Sequence, residues 1–317
     1  MKFNANVIVL FLLFIVFSMN IRGTPVKYNP LSQEEKEVIL DKGTERPFSG
    51  EFANHHEEGL YICKQCNAIL YHSTDKFESD CGWPSFDDEL KGAVMRVPDA
   101  DGQRTEIICS RCKGHLGHVF LGEGLTRKNV RHCVNSISMK FIPYKDIGSI
   151  IEKAYFAGGC FWGMEYHFMT AKGVVYTSVG YMGGTLKYPT YEEVCSGETG
   201  HKETLEVIYD PGQTSYEEMA RLFFEIHDPV QADGQGPDRG EQYLSFLFYA
   251  DEKQKETAER LVGILKDKGY RVATRIQKAS PFWKAEAYHQ KYYEKKHGMP
   301  YCHRLVKRFD GGKHQDP

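Results

Sequence analysis

Apolar positions recur along the chain in two different rhythms. From Gly59 to Pro143 they come as short extended runs broken by glycine turns, which predicts a small, mostly β unit. Beyond residue 153 the spacing changes. Met219, Leu222, Phe223 and Ile226 fall at i, i+3, i+4 and i+7, one face of a helix, and Ala258, Leu261, Val262 and Leu265 mark a second amphipathic helix. Residues 154–157, 174–179 and 204–209 read as strands, so the second half is α+β. Ser32 with Glu35 predicts a capping box that opens a short helix through about Leu40, and Ser215 with Glu218 predicts another. Residues 130–141 read as one strand whose alternation puts Arg131, Cys133 and Asn135 on one face. The expected organisation is a mostly β domain over 30–143, a linker over 144–153 and an α+β domain over 154–317.

Composition agrees with two globular domains: 317 residues, 41% apolar and 26% charged. Forty Lys and Arg against 43 Asp and Glu leave a net charge of −3, which offers no electrostatic basis for a nucleic-acid partner. Ahead of the fold, Lys2 precedes an unbroken apolar run over residues 7–17. That run is shorter than the about 20 residues of a membrane span and suits an export signal over residues 1–23. Asn20, Ile21 and Arg22 make a poor cleavage site, so an uncleaved membrane anchor is the alternative. In either case the chain is expected to be exported: periplasmic, secreted or anchored outside the cytoplasm.

The nine cysteines change the picture further. An odd number in an exported chain argues against a simple all-disulfide framework. Cys63 and Cys66 form one Cys-x-x-Cys pair, and Cys109 and Cys112 form another. Four thiolates close a tetrahedral zinc site with no open position, so the expected Zn2+ is a structural staple between two distant hairpins. The alternative is two disulfides. No organic cofactor is expected.

Two other cysteines sit in reactive surroundings. Cys133 is flanked by Arg131 and Asn135, which favours a lowered pKa. Upstream lie His115 and His118, and Cys81 beside Trp83. Cys160 follows a predicted strand and the turn Gly158, Gly159, and opens a predicted helix. There, free N–H groups and the helix dipole stabilise a thiolate. Phe161 and Trp162 can line an apolar pocket for a methyl group.

Residues 31–143 resemble the B-type methionine sulfoxide reductases. The matching runs start at Gly43 (Gly-Thr-Glu-Arg-Pro-Phe), Cys81 (Cys-Gly-Trp-Pro-Ser-Phe), Gly114 (Gly-His-Leu-Gly-His-Val-Phe) and Arg131 (Arg-His-Cys-Val-Asn-Ser), together with both Cys-x-x-Cys pairs. The resemblance implies Cys133 as nucleophile, Cys81 as resolving thiol and Trp83 as a wall of the methyl pocket. It implies that His115, His118, Arg131 and Asn135 shape and polarise the site. Asp80 and His132 depart from the usual glycine and tyrosine, and residues 121–129 lack the usual Asp-Gly-Pro wording.

Residues 154–304 resemble the A-type reductases, through Gly159-Cys-Phe-Trp-Gly163, Gly180-Tyr-Met-Gly-Gly184, Thr199-Gly-His-Lys-Glu203, the run from Gln235 to Tyr243 and Ala287-Tyr-His-Gln290. The resemblance implies Cys160 as nucleophile and Glu203 as the acid for the sulfoxide oxygen, with Asp238 helping to keep it protonated. Tyr191 and Tyr243 would hydrogen-bond that oxygen, Phe161 and Trp162 would hold the methyl group, and Cys302 matches a mobile resolving cysteine. Cys195 is expected to be buried and inert. Leu244 and Met182 depart from a common arginine and alanine, and no second relay cysteine follows Cys302.

The two resemblances together imply reduction of both sulfoxide epimers, S by the second unit and R by the first, free or in proteins. Each reaction would run through a sulfenic acid and an intradomain disulfide, reopened by a thioredoxin-like reductant. The rival reading, an exported thiol–disulfide exchange protein, requires a Cys-x-x-Cys in a thioredoxin-like βαβ setting, which neither pair has.

Overall fold

The computed structural model describes residues 28–310, so the predicted signal or anchor over residues 1–23 lies outside them. Among the described residues no helix is long and apolar enough to cross a membrane. The chain opens on helix α1, Gln33–Ile39, where the predicted capping box is present in both halves: the Ser32 hydroxyl accepts from Glu35 N–H, and the Glu35 carboxylate accepts from Ser32 N–H.

Nine strands follow: β1 Gly59–Cys63, β2 Ile69–His72, β3 Lys76–Phe77, β4 Ser85–Phe86, β5 Val94–Pro98, β6 Thr105–Cys109, β7 His115–Leu121, β8 Val130–Val134 and β9 Met139–Pro143. They form a three-stranded sheet, β2-β1-β9, and a six-stranded sheet, β3-β4-β8-β7-β6-β5. Between them lies a core of Leu60, Tyr61, Tyr71, Phe86, Ile107 and their neighbours. The single strand expected over 130–141 is in fact two, β8 and β9, in different sheets. The chain turns at Asn135 through a 3-10 turn, Ser136–Ser138, because the Glu45 carboxylate captures the N–H groups of Ser136 and Ile137 and removes them from any ladder.

The expected linker is mostly structured. Tyr144–Ser149 forms a 3-10 helix, and Glu152 and Lys153 already belong to the next strand, β10, Glu152–Ala157. The second domain continues with α2 Phe161–Phe168, β11 Val174–Met182, α3 Tyr191–Cys195, β12 Lys202–Tyr209 and α4 Tyr216–Ile226. A small hairpin, β13 Gly234–Gln235 with β14 Asp238–Arg239, is followed by β15 Phe246–Tyr249, α5 Glu252–Asp267, β16 Arg275–Lys278, β17 Trp283–Lys284 and α6 Tyr292–Lys296. The main sheet has the order β16-β15-β10-β12-β11-β17, antiparallel except for the β15–β16 pair.

Period-two alternation splits this sheet cleanly. Ala154 and Phe156 of β10, with Leu205 and Val207 of β12, face a core completed by Phe161, Phe168, Phe223 and Leu261 from the helices, whereas Ala157, Phe246 and Phe248 face a smaller cluster. The predicted stripes on α4 and α5 are buried here, except for Leu222, which is half-buried. At α4 only half of the expected capping box exists: Ser215 accepts from Glu218 N–H, but the Glu218 carboxylate is taken by the hydroxyls of Thr214 and Ser215. The domains also touch. Val175 and Ile208 pack into the first domain's core, the Asp210 carboxylate accepts from Ile69 N–H, and the Gln213 amide donates to Ile69 O.

Candidate active sites and metal centre

In the first domain, antiparallel register gathers the candidate residues in one row. Cys133 lies opposite Ser85 on one side and His118 on the other, and His118 lies opposite Glu106. Opposed residues project to the same face, so strand pairing alone places a thiol, two hydroxyl- or imidazole-bearing side chains and a carboxylate together. The loop before β4 brings Cys81 to the same place, with its Sγ 3.8 Å from that of Cys133. Trp83 is fixed there by its indole N–H, which donates to Glu45 O at 3.1 Å.

Arg131 shares this face and is clamped. Its guanidinium donates twice to Glu123, at 2.7 and 2.8 Å, and lies over the Phe120 ring. The strand ends before Asn135, so the expected grouping of Arg131, Cys133 and Asn135 is broken. The Asn135 amide is committed to backbone, accepting from Glu45 N–H and donating to Leu116 O. The expected lowering of the Cys133 pKa is also reversed. The hydrogen bond with Cys81 and burial push the Cys133 thiol up, against the pull of Arg131, and the same contact, with the Ser79 and Ser85 hydroxyls, pulls Cys81 down.

His115 and His118 have carboxylate partners that sequence reasoning did not single out. His118 Nε2 is 2.7 Å from Asp99, and His115 Nδ1 is 2.7 Å from Glu106, which also takes a hydrogen bond from Lys42. Burial raises the Glu106 carboxyl, but the bonds from Lys42 and His115 outweigh it and hold it below its ordinary value. Glu45 lies in a motif visible in the sequence and Glu106 in none, and only the fold shows what each holds. His132 points to the opposite face, fully buried between the Tyr71 hydroxyl and the Arg96 guanidinium, and burial lowers its pKa to about 4.

Gly117 explains how tightly this site is built. A Cβ there would stand 2.0 Å from the carbonyl oxygen of Cys133. Gly117→Ala is therefore expected to separate β7 from β8 beside the candidate nucleophile, costing about 1–3 kcal/mol. Thermal melting should record that loss together with a selective fall in first-domain activity.

The four paired cysteines converge. Their sulfur atoms lie within 4.8 Å of one another, with Cys63 and Cys112 at 3.5 Å and Cys66 and Cys109 at 3.6 Å. A tetrahedral thiolate site with metal–sulfur bonds of about 2.3 Å requires sulfur separations of about 3.8 Å, so the donor set fits one ion. The two turns share one geometry. Asn67 N–H donates to Cys63 O and Lys113 N–H to Cys109 O, and both Asn67 and Lys113 are left-handed, with φ of 59° and 65°. Cys63 ends a strand of the three-stranded sheet and Cys109 one of the six-stranded sheet, so a bound ion would join the two.

In the second domain Cys160 caps the N-terminus of α2, as its sequence setting suggested. It is buried beside Cys302. Hydrogen bonding with Cys302 and burial push its thiol up, opposed by the N–H groups of Trp162 and Gly163. Glu203, on the helix face of β12, lies directly beneath: Phe161 N–H donates to its carboxylate at 3.0 Å. Glu203 is fully buried, and burial pushes its carboxyl well above the ordinary range. The charges of Cys160 and Asp238 add to the shift, and Phe161 N–H opposes it. Asp238 receives the Tyr301 hydroxyl on both oxygens.

Tyr191 and Tyr243 lie near enough to Glu203 for each to feel its charge. Phe161 is buried, and Trp162 is stacked flat on Tyr292 at 3.8 Å. The indole N–H donates to His289 Nδ1 at 3.0 Å, and the His289 ring meets Tyr191. His289 lies in a quoted motif but received no role from sequence reasoning.

One expectation changes here. Cys195 is exposed rather than buried, because α3 ends at the surface; its side chain contacts Tyr191. The segment that carries Cys302 packs against the domain. The Cys302 carbonyl accepts from the Gln235 amide, its thiol is 3.0 Å from His303 Nδ1, and the following chain bonds to Ile226 and Glu225 through Arg304 and Val306.

Comparison with known proteins gives this geometry its setting. Residues 152–315 match the family described as Peptide methionine sulfoxide reductase, and residues 31–143 match the SelR domain. The Peptide methionine sulfoxide reductase MsrA of Geobacter metallireducens is 48% identical over 153 residues, covering 47% of this chain and 93% of that protein. The chloroplastic Peptide methionine sulfoxide reductase B2 of Arabidopsis thaliana is 54% identical over 114 residues, 36% of this chain and 56% of that protein. The solved structure of Mxr1 from Saccharomyces cerevisiae in reduced form is 34% identical, covers 50% of this chain and 94% of its own, and has a TM-score of 0.48. The chain therefore belongs to the peptide methionine sulfoxide reductase family, with a SelR domain standing ahead of its reductase domain.

Proposed function

We propose that this chain restores both epimers of methionine sulfoxide, the R form at Cys133 and the S form at Cys160, each closing its cycle with an intradomain disulfide. The observation that carries the reading is that each domain holds two thiols in contact beside aromatic side chains and a protonatable group. The sulfur of the nucleophile attacks the sulfoxide sulfur as the oxygen takes up a proton, methionine leaves, and the nucleophile becomes a sulfenic acid. Cys81 in the first domain and Cys302 in the second then displace that oxygen as water. Trp83, Phe161 and Trp162 hold the methyl group. His115 and His118, with Arg131 and Asn135 building the walls, serve the first site. Glu203 donates the proton in the second, with Tyr191 and Tyr243 on the oxygen and Asp238 supporting its protonation.

The disulfides need an outside dithiol, for which a thioredoxin-like protein has the right chemistry. Free and protein-bound sulfoxides are both proposed substrates. The apolar run over residues 7–17 supports export, with removal or retention as an anchor as its two outcomes. Cys63, Cys66, Cys109 and Cys112 would hold structural zinc, which supplies stability and no chemistry at the sulfoxide. The whole reading is tested by turnover of separate S and R methionine sulfoxide peptides with dithiothreitol; failure to reduce either epimer overturns it.

Glu203 carries a separate prediction. Burial raises its pKa and so favours the protonated carboxyl, and the proton is lost as pH rises. S-epimer reduction should therefore fall on the alkaline side. Glu203→Gln should lower it about 10²–10⁴-fold and remove that limb, leaving R-epimer reduction unchanged. An unaltered pH–rate profile in this variant would take the acid role away from Glu203.

A further inference from the structure

We propose that His303 is the positioning base of the resolving step in the second domain: one imidazole takes the proton of Cys302 and ties the nucleophile's loop to the segment that carries the resolving thiol. This rests on the reading of Cys160 as nucleophile and Cys302 as resolver. None of the motifs that carry the family resemblance contains His303.

The tautomer follows from its partners. His303 Nε2 lies 2.8 Å from the carbonyl oxygen of Gly158, which can only accept, so Nε2 carries the hydrogen. Nδ1 therefore presents a lone pair, and Cys302 Sγ stands 3.0 Å from it. The Cys302 S–H donates to Nδ1. Gly158 precedes the nucleophile by two residues, so the ring that sets the direction of the Cys302 proton stands beside the nucleophile's loop.

The fold makes room for this ring at some expense. His303 is 2% exposed. A Cβ at Gly163, inside α2, would stand 2.2 Å from His303 Nδ1, so the helix carries a glycine where the imidazole lies across it. On the far side, Arg304 N–H donates to Ile226 O, Val306 N–H donates to Glu225 O, and Lys307 pairs with the Glu225 carboxylate at 2.8 Å. The ring is thus held between α2 and the end of α4.

The groups facing His303 leave it neutral. Burial lowers its pKa to about 4, opposed by Gly158 O and by the charge of Asp238. From α2, His167 bonds to the His303 backbone and is itself lowered by burial. At the end of α4, His227 is lowered to about 3 by burial, its ring held by Phe223 O and Ser245. Cys160 and Cys302 complete the surroundings.

The step balances without an added oxidant. Cys160 is already the sulfenic acid. The Cys302 proton passes to His303 Nδ1, the Cys302 sulfur attacks Cys160 Sγ, the S–S bond forms and the Cys160 S–O bond breaks. His303 returns the proton to the departing oxygen, which leaves as water.

The test uses the full chain mixed with S-sulfoxide peptide without reductant, following release of the first methionine and formation of the disulfide as two phases. His303→Ala should release one methionine per chain at the wild-type rate. Its disulfide should form about 10²-fold more slowly near neutral pH, and the sulfenic acid should become trappable by a cyclic 1,3-diketone. The pH profile separates a base from mere packing. Wild-type resolution should be flat through neutral pH. His303→Ala should instead slow progressively as the pH falls, because the attacking thiolate must form unaided. His303→Gln, whose amide oxygen can accept the S–H, should restore part of the rate.

Resolution by His303→Ala at the wild-type rate, or slowed with an unchanged pH slope, overturns the proposal. So does loss of the first-methionine burst in both variants, since the ring would then be building the site for Cys160. Disulfide formation that survives Cys302→Ser overturns the reading of Cys302 itself, whatever His303 does.

Discussion

Cys133→Ser is expected to abolish reduction of the R epimer while leaving the S epimer untouched, and Cys160→Ser to do the reverse. Each loss should be about 10⁴-fold, since a serine at the attacking position removes the covalent route and leaves only binding. The independence follows from the fold. Cys133 sits in the six-stranded sheet of the first domain and Cys160 at the helix cap of the second, with separate partners, Cys81 and Cys302. The resolving thiols give a finer result. Cys81→Ser and Cys302→Ser should each still release one methionine per chain without reductant and then stop, with no disulfide formed.

This measurement also decides a point on which acidity and position disagree. The contact between Cys81 and Cys133 makes Cys81 the more acidic thiol, yet Cys133 is the one placed in the row with His118 and Ser85. We give position the greater weight, because a nucleophile must share its face with the groups that receive the oxygen. If Cys81→Ser loses the first turnover and Cys133→Ser keeps it, the two roles are exchanged. If both epimers survive either nucleophile change, the two-site reading fails.

Cys66→Ser is expected to lose one bound zinc per chain, to melt the first domain tens of degrees earlier or leave it unfolded, and to erase R-epimer reduction while S-epimer reduction persists. Structural zinc in small peptides binds with about 10–16 kcal/mol, as much as a whole domain's stability. The ion would tie the end of β1 to the end of β6, strands of different sheets. Metal analysis of the purified chain, calorimetry and the two epimer assays check the result together. The disulfide alternative makes a different forecast: no metal, and four fewer titratable thiols. Cys66→Ser retaining both metal and R-epimer activity would remove the staple from the account.

The sequence by itself determined the outline of this protein: a mostly β unit ahead of an α+β unit, the two Cys-x-x-Cys turns, the helix opening at Cys160 and the apolar stripes of α4 and α5. These are local patterns, written in residues a few positions apart, where periodicity and capping chemistry act. The positions of Cys133, Cys160 and Glu203 stood out for the same reason, each embedded in a compact run.

Tertiary structure decided what those residues touch. Residues 130–141 continue to alternate, so nothing local announces that the chain leaves one sheet at Asn135; the carboxylate that turns it belongs to Glu45, far away in the chain. Glu106 binds His115 only because β6 pairs with β7. The contact with the paired cysteine, reinforced by burial, rather than the helix dipole or a nearby guanidinium, sets the direction in which Cys160 and Cys133 titrate. Cys195 is exposed because α3 is a single short turn at the surface, and Cys302 is docked because His303 lies across Gly163. Residue type and spacing specify which groups a segment offers, but desolvation and contact depend on what packs against it, and that is settled only when distant segments meet.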